Sequence, residues 1–328
     1  MKKNIALVAG GYSGEYGISM QSAVTIEKHI DKERYDVYKI EITRAAWQHI
    51  TDKGEVVQVD RNDFSLTLNG RKVTFDAVFI GIHGTPGEDG RLQGYFDMLG
   101  IPYTSCGSVT SALTFNKSYC NKVVAALGVV NISPSVHLFR NQPYAIADIL
   151  RQVELPCFVK PNEGGSSVGM SRVTTVDDLE PALEKAFRED SQVLVEQFVP
   201  GREFSCGLFK TQGIFTVLPI TEIISTRDFF DYEAKYTPGL AQEVTPAEAA
   251  ESLQQRIRQT ACSLYNALNC RGITRIDFIW KEETDELFFL EINTMPGQSD
   301  GSIVPKQVRA AGMTLKDFYG SLLEACFE

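Results

Sequence analysis

Two runs near the C-terminus constrain the fold more tightly than any others in the chain. Arg275-Ile-Asp-Phe-Ile-Trp280 alternates polar and apolar side chains, and Leu287-Phe-Phe-Leu-Glu-Ile-Asn293 is an apolar run ending in a Pro296-Gly297 turn, so both read as strands. The polar Lys281-Glu-Glu-Thr-Asp285 between them predicts a hairpin loop. On a strand of period two, Glu291 and Asn293 share a face, and the hairpin lets Asp277 join them. Three oxygen donors with no Cys or His among them suit Mg²⁺ held against substrate phosphates better than zinc. Acidic residues at strand ends are equally at home in solvent, so this segment alone leaves both readings open.

A chain of 328 residues predicts two or three domains. Its net charge of −10 argues against a general affinity for nucleic acid or an anionic membrane, so an anionic substrate needs a local cluster of Lys and Arg. No apolar run approaches the ~20 residues that span a bilayer. Ile5-Ala-Leu-Val-Ala9 is short and ends in Gly10-Gly11, which predicts a first buried strand rather than a signal peptide. The seven cysteines are scattered, odd in number and form no C-x-x-C pair, as expected of reduced packing residues in a cytoplasmic protein.

The first third alternates strands and helices: Ile5–Ala9, a helix from Ser19 to Ile30, Val37–Ile42, a polar hairpin-like stretch, Ala77–Ile82, then a short helix from Leu92 to Leu99. That order predicts an α/β open parallel sheet with ligands at the carboxyl ends of its strands, where Gly10-Gly11-x-x-Gly14 and His83-Gly-Thr-Pro-Gly-Glu-Asp-Gly90 lie. The glycine pattern by itself serves any nucleotide or merely closes a turn. Domain boundaries are expected near Gly107–Ser111 and Pro200–Glu203, dividing the chain into 1–109, 110–203 and 204–328. The last part holds a strand, a polar and aromatic stretch from Thr221 to Pro238 that reads as a lid, a helix over Pro246–Leu268, the carboxylate hairpin and a terminal helix.

Gly164-Gly-Ser-Ser-Val-Gly169, after the strand ending at Lys160, offers backbone N–H groups and two hydroxyls that can wrap phosphate oxygens. No Lys-Ser/Thr follows its last glycine, so it is not a P-loop, and a flexible hairpin is the alternative. The order of features narrows the choice. Lys117, Lys160-Pro with its glycine-serine loop, Glu196-Gln-Phe-Val199, Glu203, Arg275-x-Asp277 and Glu291-x-Asn293 together resemble the ATP-grasp family. Gly10-Gly-x-Ser-x-Glu15, the His83 block, Tyr232-Glu-Ala-Lys-Tyr236 and Asn293-Thr-x-Pro-Gly297 make the resemblance narrower, to the D-alanine–D-alanine ligases, over about residues 5–305.

The resemblance implies an N-terminal open-sheet domain followed by a two-domain, α+β ATP-grasp fold. It implies ATP-dependent ligation of two D-alanine molecules through an acylphosphate, for peptidoglycan precursor synthesis. ATP would meet Lys117, Lys160 and Ser167, with Glu196, Gln197, Phe198 and Val199 reading adenine and Glu203 the ribose. Asp277, Glu291 and Asn293 would hold two Mg²⁺ ions, with Mn²⁺ able to substitute. Glu15 would pair with the ammonium of the first D-alanine, in a hydrogen-bonded chain with Ser166 and Tyr236. Arg275 and the Gly297 N–H would stabilise the oxyanion, and Ser302 would receive the second carboxylate, with His83, Lys235 and Ile303 also at the substrates. The family context further implies a homodimer.

Glu88 and Asp89 read as solvated loop charges. The chain departs from the family pattern at Gly17, where a second acidic residue is usual, and at Gln298-Ser299 and Ser302-Ile303, which are expected to alter the wall around the second amino acid. D-lactate, D-serine or another amine therefore remains an alternative nucleophile. A nucleotide-binding regulatory module without turnover is a third reading, and Arg275 weighs against it, because a pure binder has no use for an oxyanion donor.

Overall fold

A computed structural model of the chain describes residues 2–165, 167–225 and 241–328. The N-terminal part contains β1 (Lys3–Gly10), α1 (Tyr16–His29), β2 (Tyr35–Ile42), β3 (Trp47–Ile50), β4 (Val56–Gln58), the small hairpin β5 (Leu66–Leu68) and β6 (Arg71–Val73), β7 (Ala77–Ile80) and α2 (Arg91–Leu99). Its main sheet is ordered β4-β3-β2-β1-β7, with β1 parallel to both β2 and β7. The period of two decides what each face meets. Ile5, Leu7 and Ala9 join one apolar cluster with α1 and the C-terminal helices, whereas Ala6 and Val8 join another with Phe64, Phe75 and Phe96. A strand buried on both faces reads as a continuous apolar run, which is why Ile5–Ala9 was legible.

Next come α3 (Ser108–Phe115), α4 (Lys117–Leu127), β8 (Asn131–Ile132), β9 (Ser135–Phe139), α5 (Ile146–Leu150), β10 (Cys157–Pro161), β11 (Ser171–Val173), α6 (Leu179–Glu189) and β12 (Gln192–Gln197). An antiparallel sheet ordered β11-β10-β12-β9 packs its apolar face on α6 through Val159, Val193, Val195 and Leu183. The remaining elements are β13 (Arg202–Thr211), β14 (Ile214–Val217), β15 (Thr221–Ser225), β16 (Ala241–Val244), α7 (Glu251–Ala267), β17 (Thr274–Lys281), β18 (Glu286–Asn293), α8 (Ile303–Ala310) and α9 (Leu315–Glu324). They form a sheet ordered β16-β15-β13-β17-β18-β8, with β14 also paired to β13.

Three details differ from expectation. Cys120 and Val124 of α4 share an apolar cluster with Phe204, Cys206 and Phe278, and β8 pairs with β18, so the first part of 110–203 packs on the C-terminal sheet. The helix expected from Pro246 begins at Glu251, because the Ala247 N–H donates to the Ile220 carbonyl (2.8 Å) and holds that stretch against the preceding segment. The first five residues of the expected lid are strand β15, and 226–240 lie outside the described residues. All seven cysteines are free, as anticipated. No described helix is long and apolar enough to cross a membrane.

Candidate active site

The hairpin β17–β18 sets its functional side chains by register. Asp277 faces Glu291 and Arg275 faces Asn293, and the irregularity after Asp277 leaves these pairs in place. The Asn293 amide nitrogen stands 3.2 Å from both Asp277 Oδ2 and Glu291 Oε1, so the three expected ligands converge. Arg275 donates to both Asp277 oxygens (Nη2 to Oδ2, 2.7 Å) and lies 3.8 Å from Glu291, while the Ser205 hydroxyl donates to Asp277 Oδ1 (2.6 Å). Burial works against the Arg275 charge, but Asp277 and Glu291 outweigh it and hold the guanidinium charged. Among the described residues no three His, Cys, Asp or Glu side chains gather as a metal cluster, the hairpin set being two carboxylates and an amide. That donor set still fits Mg²⁺, a hard cation that takes oxygen ligands and shares its shell with phosphate and water.

Two lysines also line the cavity. Lys117, at the start of α4, donates to the Gly164 carbonyl (2.6 Å) and lies 3.9 Å from Glu291. Lys160 Nζ, at the end of β10, donates to Glu196 Oε2 (2.6 Å), and Asn121 donates to the other oxygen of the same carboxylate (3.2 Å). The Gln197 and Phe198 N–H groups donate to the Pro134 and Pro156 carbonyls. The Val199 N–H has no such partner among the described residues. Ser167 takes a left-handed backbone (φ 57°) in the glycine loop, and Glu203 lines the cavity from β13.

On the opposite side, Glu15 sits where two glycines approach it. A Cβ on Gly165 would lie 2.6 Å from Glu15 Oε1, and one on Gly84, whose φ is +66°, would lie 3.0 Å from Oε2. Only glycine allows both loops so near the carboxylate. Gly297, Ser302 and Ile303 line the cavity at the start of α8, with Ser302 Oγ bonded to Ser299 Oγ (2.8 Å). His83 is buried, and burial holds its imidazole below the usual range despite the pull of Glu15. Ser166, Lys235 and Tyr236, with Tyr232, lie outside the described residues.

The reading of Glu88 and Asp89 as solvated is wrong. Asp89 pairs with Arg91, its side chain only 6% exposed. Glu88 lines the cavity and accepts the Gly84 N–H (2.6 Å), and burial, reinforced by Glu15, pushes its carboxyl up to about 8. Its position beyond the carboxyl end of β7, where open sheets place their ligands, was the signal that could have found it. Asn121, one helical turn beyond Lys117, and Ser205, on the same strand face as Glu203, were legible by spacing in the same way. Gln298 does not line the cavity, whereas Ser299, Ser302 and Ile303 do, so that departure lies behind the wall.

The cavity measures about 790 Å³ and is lined from the sheets that contain β10 and β17 and, on the N-terminal side, from α1 and the loops after β1 and β7. Two antiparallel sheets closing on paired lysines and carboxylates, with an open-sheet unit alongside, are the architecture of the ATP-grasp ligases. Family models described as D-ala D-ala ligase N-terminus and D-ala D-ala ligase C-terminus match residues 4–106 and 132–324. The chain is 45% identical to the D-alanine–D-alanine ligase of Phocaeicola vulgatus, each covered over 100% of its length. It superposes on the VanG D-Ala:D-Ser ligase of Enterococcus faecalis with a TM-score of 0.89 at 32% identity, covering 99% of this chain and 100% of that one. Against the D-alanine–D-alanine ligase of Bacillus anthracis complexed with ATP the TM-score is 0.79 at 25% identity, over 99% and 97%. The chain belongs to the D-alanine–D-alanine ligase family.

Proposed function

We propose that the chain joins two D-alanine molecules at the expense of ATP, supplying D-alanyl-D-alanine for peptidoglycan precursors. The carboxylate of the first D-alanine attacks the γ-phosphorus, releasing ADP and forming an acylphosphate. The free amine of the second then attacks the carbonyl carbon, and phosphate leaves from the tetrahedral intermediate. One observation carries the reading: a single cavity brings together Lys117 and Lys160, the carboxylate hairpin, and Glu15 with Gly297 and Ser302.

In this reading Glu15 binds the first ammonium, and Ser166 and Tyr236 extend its hydrogen-bonded chain. Lys117, Lys160 and Ser167 meet the phosphates, and Glu203 meets the ribose. Adenine is read through backbone groups of the strand segment Glu196, Gln197, Phe198 and Val199. Arg275 and the Gly297 N–H stabilise the oxyanion as donors oriented before the charge develops. Ser302 receives the second carboxylate, with His83, Lys235 and Ile303 at the substrate pockets. Asp277, Glu291 and Asn293 would hold Mg²⁺ or Mn²⁺, which when bound would neutralise triphosphate charge. Arg275 holds Asp277 through Nε and Nη2, which leaves the donors of its other terminal nitrogen for the oxyanion. The divisions 1–109, 110–203 and 204–328, a homodimer and a cytoplasmic location belong to the same proposal.

Phosphate release measured with single D-amino acids and with pairs tests it. Turnover with D-alanine alone is the expected result. Release requiring D-alanine together with D-serine would favour the second reading, which the likeness to VanG motivates. ATP binding with no release under any pairing would leave a binding module.

A further inference from the structure

His83 lines the cavity, and both its ring nitrogens are held by protein. Its Nδ1 stands 2.9 Å from the Met295 carbonyl, and its Nε2 stands 2.9 Å from the hydroxyl of Ser22 on α1. Ser22 is fully buried, and its oxygen also accepts the Gln298 N–H (3.1 Å). A carbonyl can only accept, so Nδ1 carries the proton. In the neutral ring Nε2 then accepts from Ser22 O–H, and the Ser22 oxygen accepts from Gln298. Every bond runs in one direction. Both anchors grip the turn that contains Gly297, one two residues before it and one immediately after it. The Gln298 side chain braces the same turn, donating to the Pro296 carbonyl (3.0 Å) and accepting from Tyr319 (3.4 Å).

On the proposed ligation reading, we propose that Ser22 is a positioning residue. Through the His83 tautomer and the Gln298 N–H, it fixes the Gly297 turn against the N-terminal sheet so that the Gly297 N–H aims at the developing oxyanion. Gln298, a departure from the family pattern, belongs to this strut and not to the substrate wall. A donor displaced by a fraction of an ångström loses its transition-state interaction while leaving nucleotide contacts untouched.

The first test reads the His83 tautomer in the wild type. In protein labelled with ¹⁵N-histidine, long-range ¹H–¹⁵N correlation should show His83, identified as the signal missing from His83→Gln, with Nδ1 protonated and Nε2 bare at pH 7. A protonated Nε2 overturns the proposal. Ser22→Ala should then lower kcat by about tenfold to a hundredfold with KM for ATP unchanged. It should also move the His83 Nε2 resonance, and Ser22→Thr, which keeps the hydroxyl, should restore both. A kcat within twofold of wild type, or a loss carried equally by KM for ATP, overturns the positioning role. If the wild type fails to ligate D-alanine, the ligation reading falls, while the tautomer and the Nε2 shift still decide whether the strut exists.

Discussion

The two sides of the cavity handle charge in opposite ways. On the side proposed for the nucleotide, basic and acidic side chains are paired: Lys160 with Glu196, Arg275 with Asp277, and Lys117 near Glu291. On the side proposed for the amino acids, beside Glu15, two groups are shifted away from charge, because burial pushes Glu88 up to about 8 and holds His83 below its usual range. A triphosphate arrives with several negative charges and can take over the lysines and the arginine already in place. An amino acid brings one ammonium and one carboxylate, and a surplus of ionised groups there would bind the wrong charge pattern. Pairing keeps a charge available; desolvation removes it.

The comparison breaks most visibly at Glu291. Glu291→Gln removes a charge placed between Lys117, Arg275 and the expected metal, and turnover should fall at least ~100-fold with the thermal transition little changed. Phosphate release and circular dichroism check it, and wild-type turnover from a folded variant would remove Glu291 from the mechanism.

Lys160→Ala strands Glu196, only 6% exposed, without its cation. We expect a stability loss of roughly 3 kcal/mol together with weaker ATP binding by calorimetry. The double variant Lys160→Met, Glu196→Gln should recover the stability but not the ATP affinity. Unchanged ATP affinity in Lys160→Ala would place this lysine outside the nucleotide site.

Gly165→Ala puts a methyl group where the Glu15 carboxylate lies, 2.6 Å from Oε1. A displacement of that carboxylate should raise KM for the first D-alanine by about tenfold and leave KM for ATP within twofold. Equal changes in both would mean that the loop, and not Glu15, was disturbed.

The smallest effect sharpens the suppressed side. Because the folded carboxyl of Glu88 is raised to about 8, folding favours its protonated form. That contribution is complete below the ordinary carboxylate range and is lost as pH rises toward 8. Glu88→Gln cannot ionise. The melting temperature of the wild type should therefore drop relative to Glu88→Gln between pH 5 and 8, by roughly 2 °C or more. A difference that is flat with pH would mean that Glu88 is ionised throughout.

What was legible in the chain follows the range of the interaction that decides it. The strands Ile5–Ala9 and Arg275–Trp280, the short loop that makes the hairpin, and the shared face of Glu291 and Asn293 all follow from local periodicity and turn residues. The hairpin also brings Asp277 to that face, and its register sets Asp277 opposite Glu291. The start of α7 was misjudged because a single hydrogen bond from Ala247 to Ile220, across a stretch distant in sequence, outweighs helix propensity near Pro246.

The chemistry of the site depends on partners that lie far apart in the chain. The Glu88 carboxyl is pushed up to about 8 by burial under other parts of the chain and then by the charge of Glu15. His83 has its tautomer set by Ser22 and by Met295, the latter from the far end of the chain. The same holds for the hydrogen bond from Ser205 to Asp277, and for the docking of α4 on the C-terminal sheet. Sequence by itself determined which residue types were present and which strand faces they occupied, because periodicity acts over two to four residues. Only the tertiary structure decided which of those groups keep their charge, because desolvation and Coulomb interaction depend on distance in space and are blind to distance along the chain.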